Sequence, residues 1–241
     1  MSTGFRRAAT GERTPEVPGI VERYAPWQAA ESLFREERRR VAAVELHRCG
    51  AFPERGTPCL EVGVGAGGWF PDLLSWGMAG ADLHGIDIDV ARLDVTRQGY
   101  PGSALEAASA DRIPWPDQRF GLVVASTVFT SILDETRRKA VAGEIVRVLR
   151  PGGALVWYDF AVPSYRNHLV RPVPRAELVA LFPTLRPTVR RVTLAPPLAR
   201  AIAGRSWTLA TMLNAVPLLC THLLAVLVKP RPDDPDRQVS V

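Results

Sequence analysis

Leu60-Glu61-Val62-Gly63-Val64-Gly65-Ala66-Gly67-Gly68 follows a short apolar run and decides how the chain is read. An apolar segment that ends in an acid and then alternates glycines predicts a strand, a sharp turn and a helix start. Glycine permits the turn because it adopts backbone angles that side chains disfavour. The helix that follows presents free N–H groups and a positive dipole end to anything seated there. The turn therefore reads as a cradle for a nucleotide-like ligand. Gly63, Gly65 and Gly68 fit the dinucleotide pattern GxGxxG, and Gly63, Gly65 and Gly67 fit ExGxGxG.

Working outward, strands and helices alternate. Strands are expected at Cys59–Val64, Leu83–Ile88, Ser103–Ala108, Phe120–Ser126 and Ala154–Phe160, with helices at Trp69–Trp76, Val90–Gln98 and Glu135–Leu149. The last helix is expected to close on Arg150-Pro151-Gly152-Gly153. This rhythm predicts a mostly parallel sheet with helices on both faces. A helix from about Ala29 to Cys49 precedes the turn, as a lid over the cleft. Beyond the core, a helix at Pro174–Phe182, a strand at Val189–Leu194, a helix at Ala201–Asn214 and a strand at Thr221–Val228 are expected. The expected organisation is a tail over 1–18, one domain over 19–229 and a second tail over 230–241. Within the domain, 19–54 is a helical cap, 55–160 the ligand-binding core and 161–229 the substrate side.

Composition narrows the class. With 241 residues, 46% of them hydrophobic and 23% charged, the chain is ordinary for a globular domain. Its net charge of +5 is almost wholly arginine, scattered without a basic–aromatic stripe, so no nucleic-acid partner is expected. The three cysteines, Cys49, Cys59 and Cys220, are isolated and read as reduced thiols, and no metal-ligand spacing appears. No targeting signal is read, and the expected compartment is the cytoplasm. Leu209–Val228 is apolar but interrupted by Asn214, Pro217 and His222. A buried helix followed by a buried strand fits it better than a membrane span, so no stable membrane insertion is expected. A homodimer is compatible with this reading.

Three features bear on the ligand. Glu61 would repel a pyrophosphate, which favours a cationic ligand over NAD(P). Asp87, 20 residues past Gly67 in Gly85-Ile86-Asp87-Ile88-Asp89, suits the two hydroxyls of a ribose. The run from Ser109 to Phe120 is a proline-bounded loop able to flank an adenine.

Leu60–Gly67, Gly85–Asp89, Ser109–Val124 and Val146–Gly153 together resemble, in order and spacing, the successive motifs of class I S-adenosylmethionine (SAM)-dependent methyltransferases. The resemblance covers roughly residues 55–160. It implies a Rossmann-like α/β fold, doubly wound, whose seven-stranded sheet has its last strand antiparallel. It implies SAM as cofactor, S-adenosylhomocysteine as product and a small molecule as acceptor. Glu61, Gly63, Val64, Gly65 and Gly67 would hold the amino-acid part of SAM, Asp87 its ribose, and Ile88 would pack on adenine. Ser109, Ala110 and Asp111 would address the adenine edge, with Ser126 at the end of the fourth strand. The chain departs from the pattern at Ser109, Trp115 and Gly121, where relatives carry Asp, Phe and Asp.

Trp157-Tyr158-Asp159-Phe160 and Arg191-Val192-Thr193-Leu194-Ala195-Pro196-Pro197 further resemble a bacterial subgroup associated with polysaccharide or secondary-metabolite pathways. The expected reaction is methylation of a sugar, glycan or secondary-metabolite hydroxyl. Asp159 and His168 are the candidate bases, and Tyr24, Phe129, Tyr158, Arg166 and Arg171 the candidate acceptor contacts. The alternatives are methylation of a nitrogen or carbon, an NAD(P)-dependent oxidoreductase, and a binding protein that keeps the fold without catalysis.

Overall fold

Cys59–Val62 forms strand β1, buried at all four positions. A strand covered on both faces needs apolar residues without alternation, as in the interior of a parallel sheet. β1 pairs in parallel with β2 (Leu83–Asp87) on one side and β4 (Phe120–Ser126) on the other. β3 (Ala104–Ala107) adds beyond β2, and β5 (Leu149–Phe160) beyond β4. β6 (Arg186–Leu194) and β7 (Cys220–Val228) complete a seven-stranded sheet in the order β3-β2-β1-β4-β5-β7-β6. β7 runs antiparallel to both of its neighbours, as expected. The structure, a computed structural model, describes residues 25, 27–162 and 171–234.

Helices flank the sheet. α1 (Ala29–Arg48), α2 (Phe70–Ser75) and α3 (Val90–Gly99) lie on one face; α4 (Glu135–Val148) and α5 (Arg175–Leu181) lie on the other. β4 shows how one strand serves both layers. Leu122 and Val124 pack towards Trp69, Phe70 and Leu46, while Val123 and Ala125 pack towards Val141, Ile145 and Trp157. α6 (Pro196–Ile202) and α7 (Trp207–Asn214) connect β6 to β7 and form a smaller cluster with the start of α1.

Four expectations change. The helix expected at Ala201–Asn214 is two helices, because Gly204 and Ser206 interrupt it and the Ser206 side chain caps α7 by accepting the Leu209 N–H. α7 is also not buried: only Ala210 is covered. β5 starts at Leu149, ahead of the expected Ala154, with a register break against β4 that absorbs the Pro151–Gly153 stretch. α1 is less a lid than a layer. Ala42 and Leu46 pack on the sheet face beside Val156 and Val226, and Ala30 and Leu33 pack against Ala199.

Among the described residues no helix is long and apolar enough to cross a membrane, and no group of side chains is arranged to hold a metal ion. All three cysteines are free.

Candidate functional site: the carboxyl edge of the sheet

The parallel strands β1, β2, β4 and β5 all end on one edge, where an open α/β sheet binds ligands. The glycine turn leaves β1 there. Gly63, Gly65 and Gly67 have φ of 69°, 54° and 88°. Gly67 is doubly constrained: a Cβ on it would lie 2.5 Å from Tyr100 Cε2. Only a glycine fits between that ring and the turn. On Gly68 a Cβ would come within 3.0 Å of Glu61 Oε1, so the acid lies directly against the cradle.

Glu61 is buried, and both its oxygens accept the backbone N–H of Trp69 at the start of α2. Burial pushes its carboxyl up to about 8, opposed by the Trp69 N–H and by the nearby Arg38. Arg38, on α1, lies 4.5 Å above the Trp69 ring and 3.6 Å from Asp72. Its Nε and the Asp72 Oδ2 are buried without hydrogen-bond partners. A buried acid, an orphaned guanidinium nitrogen and a cradle lined by glycine suit a ligand end that carries both an ammonium and a carboxylate.

Asp87 ends β2. Its Oδ2 accepts the Gly65 N–H at 2.8 Å, and its Oδ1 accepts the Asp89 N–H at 2.9 Å. A carboxylate has about four acceptor positions. Asp87 can therefore shape the turn and still receive two hydroxyls. Thr96 of α3 fastens the same turn by donating to the Gly65 carbonyl at 2.7 Å. Ile88 is 66% exposed, an apolar platform beside Asp87.

Ser109, Ala110 and Asp111 follow β3 at the same edge. Arg137 of α4 donates to Asp111 Oδ2 and Ser109 Oγ, each at 3.2 Å. Hydrogen bonding from Ser109 and the charge of Arg137 hold the Asp111 carboxyl below its usual range. The loop that continues to Phe120 is pinned by Arg147. Its Nη1 donates to the Trp115 carbonyl and Asp117, its Nη2 to the Ile113 carbonyl and Glu144, and its Nε to Glu144.

The model of the family described as "Methyltransferase domain" matches residues 60–157, the span that carries these features. The chain is 30% identical over 176 residues to a demethylmenaquinone methyltransferase of Mycobacterium sp. (strain KMS), covering 64% of this chain and 74% of that protein. It is 28% identical over 177 residues to the enzyme of that name from Renibacterium salmoninarum, covering 70% and 71%. The chain belongs to the class I SAM-dependent methyltransferases. Solved structures agree on the fold. The geranyl diphosphate C-methyltransferase of Streptomyces coelicolor A3(2), in complex with Mg2+, geranyl diphosphate and S-adenosylhomocysteine, superimposes with a TM-score of 0.55 at 14% identity, covering 78% of this chain and 77% of that one. The [4+2]-cyclase SpnF superimposes with a TM-score of 0.56 at 16% identity, covering 80% and 81%.

In this methyltransferase the residues expected on the cofactor side gather at one edge, whereas several expected acceptor contacts are buried. Asp159 is wholly buried, and its two oxygens accept the N–H groups of Thr130 and Phe160. It holds the Phe129–Ser131 turn and faces no cleft, although burial pushes its carboxyl up to about 6. Phe129 is fully buried against Trp157 and Phe182. Tyr158 is buried too: its hydroxyl meets Thr193 Oγ1 at 2.8 Å and its ring stacks on His222. Arg171 pairs with Glu177, and its N–H is fixed on the Thr130 carbonyl. Ser126 ends β4, half-buried. Tyr24, Arg166 and His168 lie outside the described residues.

Sequence reasoning missed Arg38, Tyr100, Arg137 and Arg147. Only Arg147 left a signal, as the arginine of the Arg147-Val148-Leu149 run in the fourth motif. The strain after β4 was also unseen: Thr127, a β-branched residue, has φ of 56°. Its N–H donates to the Tyr158 carbonyl at 2.7 Å.

Proposed function

We propose that Glu61 receives the ammonium of the methyl donor, with Arg38 towards its carboxylate, that Asp87 takes the ribose hydroxyls, and that Ile88 and the Ser109–Asp111 segment flank the adenine. The observation that carries this reading is the buried Glu61 carboxylate set against the glycine turn, with Arg38 the one nearby cation among the described residues. When bound, SAM supplies a methyl on a positively charged sulfur, which a nucleophile displaces directly. The chain's part is alignment of the acceptor and exclusion of water, which is worth several kcal/mol of barrier.

The acceptor we propose is a sugar, glycan or secondary metabolite methylated on a hydroxyl, with an apolar body in the last case. The demethylmenaquinone named for the relatives supports the apolar body. The resemblance of the Trp157–Phe160 and Arg191–Pro197 segments to a subgroup linked with polysaccharide and secondary-metabolite pathways supports the hydroxyl. A second reading, methylation of a ring carbon, is favoured by the names of the relatives, which are demethylmenaquinone methyltransferases.

Two measurements test these statements. Calorimetric titration with S-adenosylhomocysteine should give saturable one-site binding; a folded sample that binds none refutes the site assignment. Incubation with methyl-labelled SAM and a panel of sugar, phenol and reduced-quinone acceptors, read by the NMR shift of the transferred methyl, separates oxygen from carbon methylation. Labelling of carbon alone would refute the hydroxyl reading.

A further inference from the structure

Between Glu177 and Asp233 the chain carries no acidic residue, while seven basic ones fall within that span. Inside it, residues 206–228 carry no charged side chain except the neutral-leaning His222, whose burial pushes its imidazole down to about 3. The second half of that stretch is β7, buried in the sheet. The first half is not buried. α7 covers its small Ala210 and half-buries Leu213, yet exposes Trp207, Leu209 and Met212. Trp207 and Leu209 are each 46% exposed, Met212 66%, and Leu218, in the turn after the helix, 87%. Val216 lies exposed between them.

Clustered apolar exposure of this kind marks a surface that meets something. The charges around it bear on what that is. Arg190 and Arg200 are neutralised by Glu45 and Glu31 of α1. Arg205, immediately before α7, donates only to the Ala201 carbonyl, and it forms no ion pair among the described residues. The acids nearest the patch are engaged, Glu31 with Arg200 and Glu37 with the Thr193 N–H, so Arg205 stands uncompensated beside it. A symmetric contact between two copies would bring Arg205 towards its own image with no acid in the segment to pair it. An anionic surface meets no such penalty, and indole rings favour the boundary between headgroups and acyl chains.

We propose that the α7–Leu218 face docks on an anionic lipid surface. α6 and α7 emerge from the end of β6 and return into the start of β7, whose Cys220 pairs with Leu194 and whose His222 pairs with Phe160. They therefore stand on the same edge of the sheet as Glu61, Asp87 and Ser126. Docking turns the mouth of the site towards the lipid layer, from which an apolar acceptor can enter without crossing water. The docking face itself does not depend on the acceptor assignment.

The test is co-sedimentation of the full chain with vesicles of mixed phosphatidylglycerol and phosphatidylcholine, and with vesicles of phosphatidylcholine alone. The expected result is partition onto the anionic vesicles that weakens with added salt. The double variant Met212→Glu, Leu218→Glu should lose at least about tenfold of that partition, while its melting temperature and its S-adenosylhomocysteine affinity stay unchanged. No partition of the wild type, equal partition onto the neutral vesicles, or an unaffected double variant would overturn the proposal. So would a wild-type dimer in sedimentation velocity that the double variant dissociates, since the patch would then be a contact between copies.

Discussion

Glu61, the last acid of β1, receives the Trp69 N–H with both carboxylate oxygens, at 3.1 and 3.0 Å, across the whole glycine turn. The contact ties the start of α2 to the strand that feeds it, and it leaves the acid buried beside the cradle. One residue thus shapes the turn and stands where the proposed ligand's ammonium would meet it.

Because burial holds the free Glu61 carboxyl up at about 8 instead of the ordinary 4.5, the empty site is largely protonated at neutral pH. A ligand ammonium demands the ionised form, so binding releases a proton. Affinity for S-adenosylhomocysteine should rise by up to about tenfold per pH unit as pH climbs towards that value, then level. Calorimetry in buffers of different ionisation heat would count the proton. Stability runs the other way. A carboxyl raised on folding costs nothing below the unfolded value and progressively more as pH rises from 4.5 to about 8. Glu61→Gln should therefore bind the ligand at least about tenfold more weakly, without the pH dependence, and melt at a higher temperature at neutral pH. A variant that melts lower would refute the burial argument.

Asp87 also has a double task, because Gly65 donates to the oxygen opposite the one that receives Asp89. Asp87→Ala removes both the proposed ribose acceptors and the brace of the turn, and should weaken S-adenosylhomocysteine by about 2–3 kcal/mol. Asp87→Asn retains one oxygen for Gly65 and should fall between. Equal affinity in Asp87→Ala and wild type would take Asp87 out of the ribose role.

How much of this was legible follows from which signals are local. The strands from Cys59 to Phe160 could be read because buried parallel strands need apolar runs, and Gly63 to Gly68 because a turn under a ligand needs glycine. Glu61 and Asp87 are fixed by strand-end position, which pattern reveals. Asp159, Phe129 and Tyr158 also sit at or near strand ends, yet point into the protein. Strand periodicity gives the face of a side chain, and the packing of Thr130, Trp157 and His222 decides whether that face opens to a cleft. The split between α6 and α7 hung on Gly204 and Ser206, a cap signal masked by the apolar stretch around it. Arg38 reaches Trp69 from 31 residues away, a pairing no spacing rule encodes.

Arg147 spends its donors on four groups of the Ile113–Asp117 loop and α4, so that loop hangs on one α4 side chain. It is about a third exposed, so solvent screens the charge part, and the geometry carries most of the effect. Arg147→Ala should cost about 1–3 kcal/mol of stability. It should speed amide exchange at Ile113, whose N–H is held by Glu144. Exchange at Ile113 no faster than in wild type would show the loop standing without Arg147.

Glu37, buried on α1, accepts the N–H of Thr193 at 2.8 Å, a bond between residues 156 positions apart. It secures an unusual corner: Thr193 has φ of 67°, and its hydroxyl meets Tyr158. A β-branched residue holds that conformation only when its surroundings impose it. Glu37→Ala leaves the Thr193 N–H buried without an acceptor and should cost about 1–3 kcal/mol. For a chain of this length that lowers the melting temperature by about 2–4 °C per kcal/mol. Glu37→Gln keeps an acceptor oxygen and removes a carboxyl that burial already disfavours in its charged form. It should therefore melt within a degree or so of wild type at acid pH, and above it at neutral pH, where the carboxyl's raised position penalises only the folded state. Thermal melts of the two variants across pH decide the matter. A Glu37→Gln loss as large as that of Glu37→Ala would show that the carboxylate charge, and not the acceptor, holds the corner.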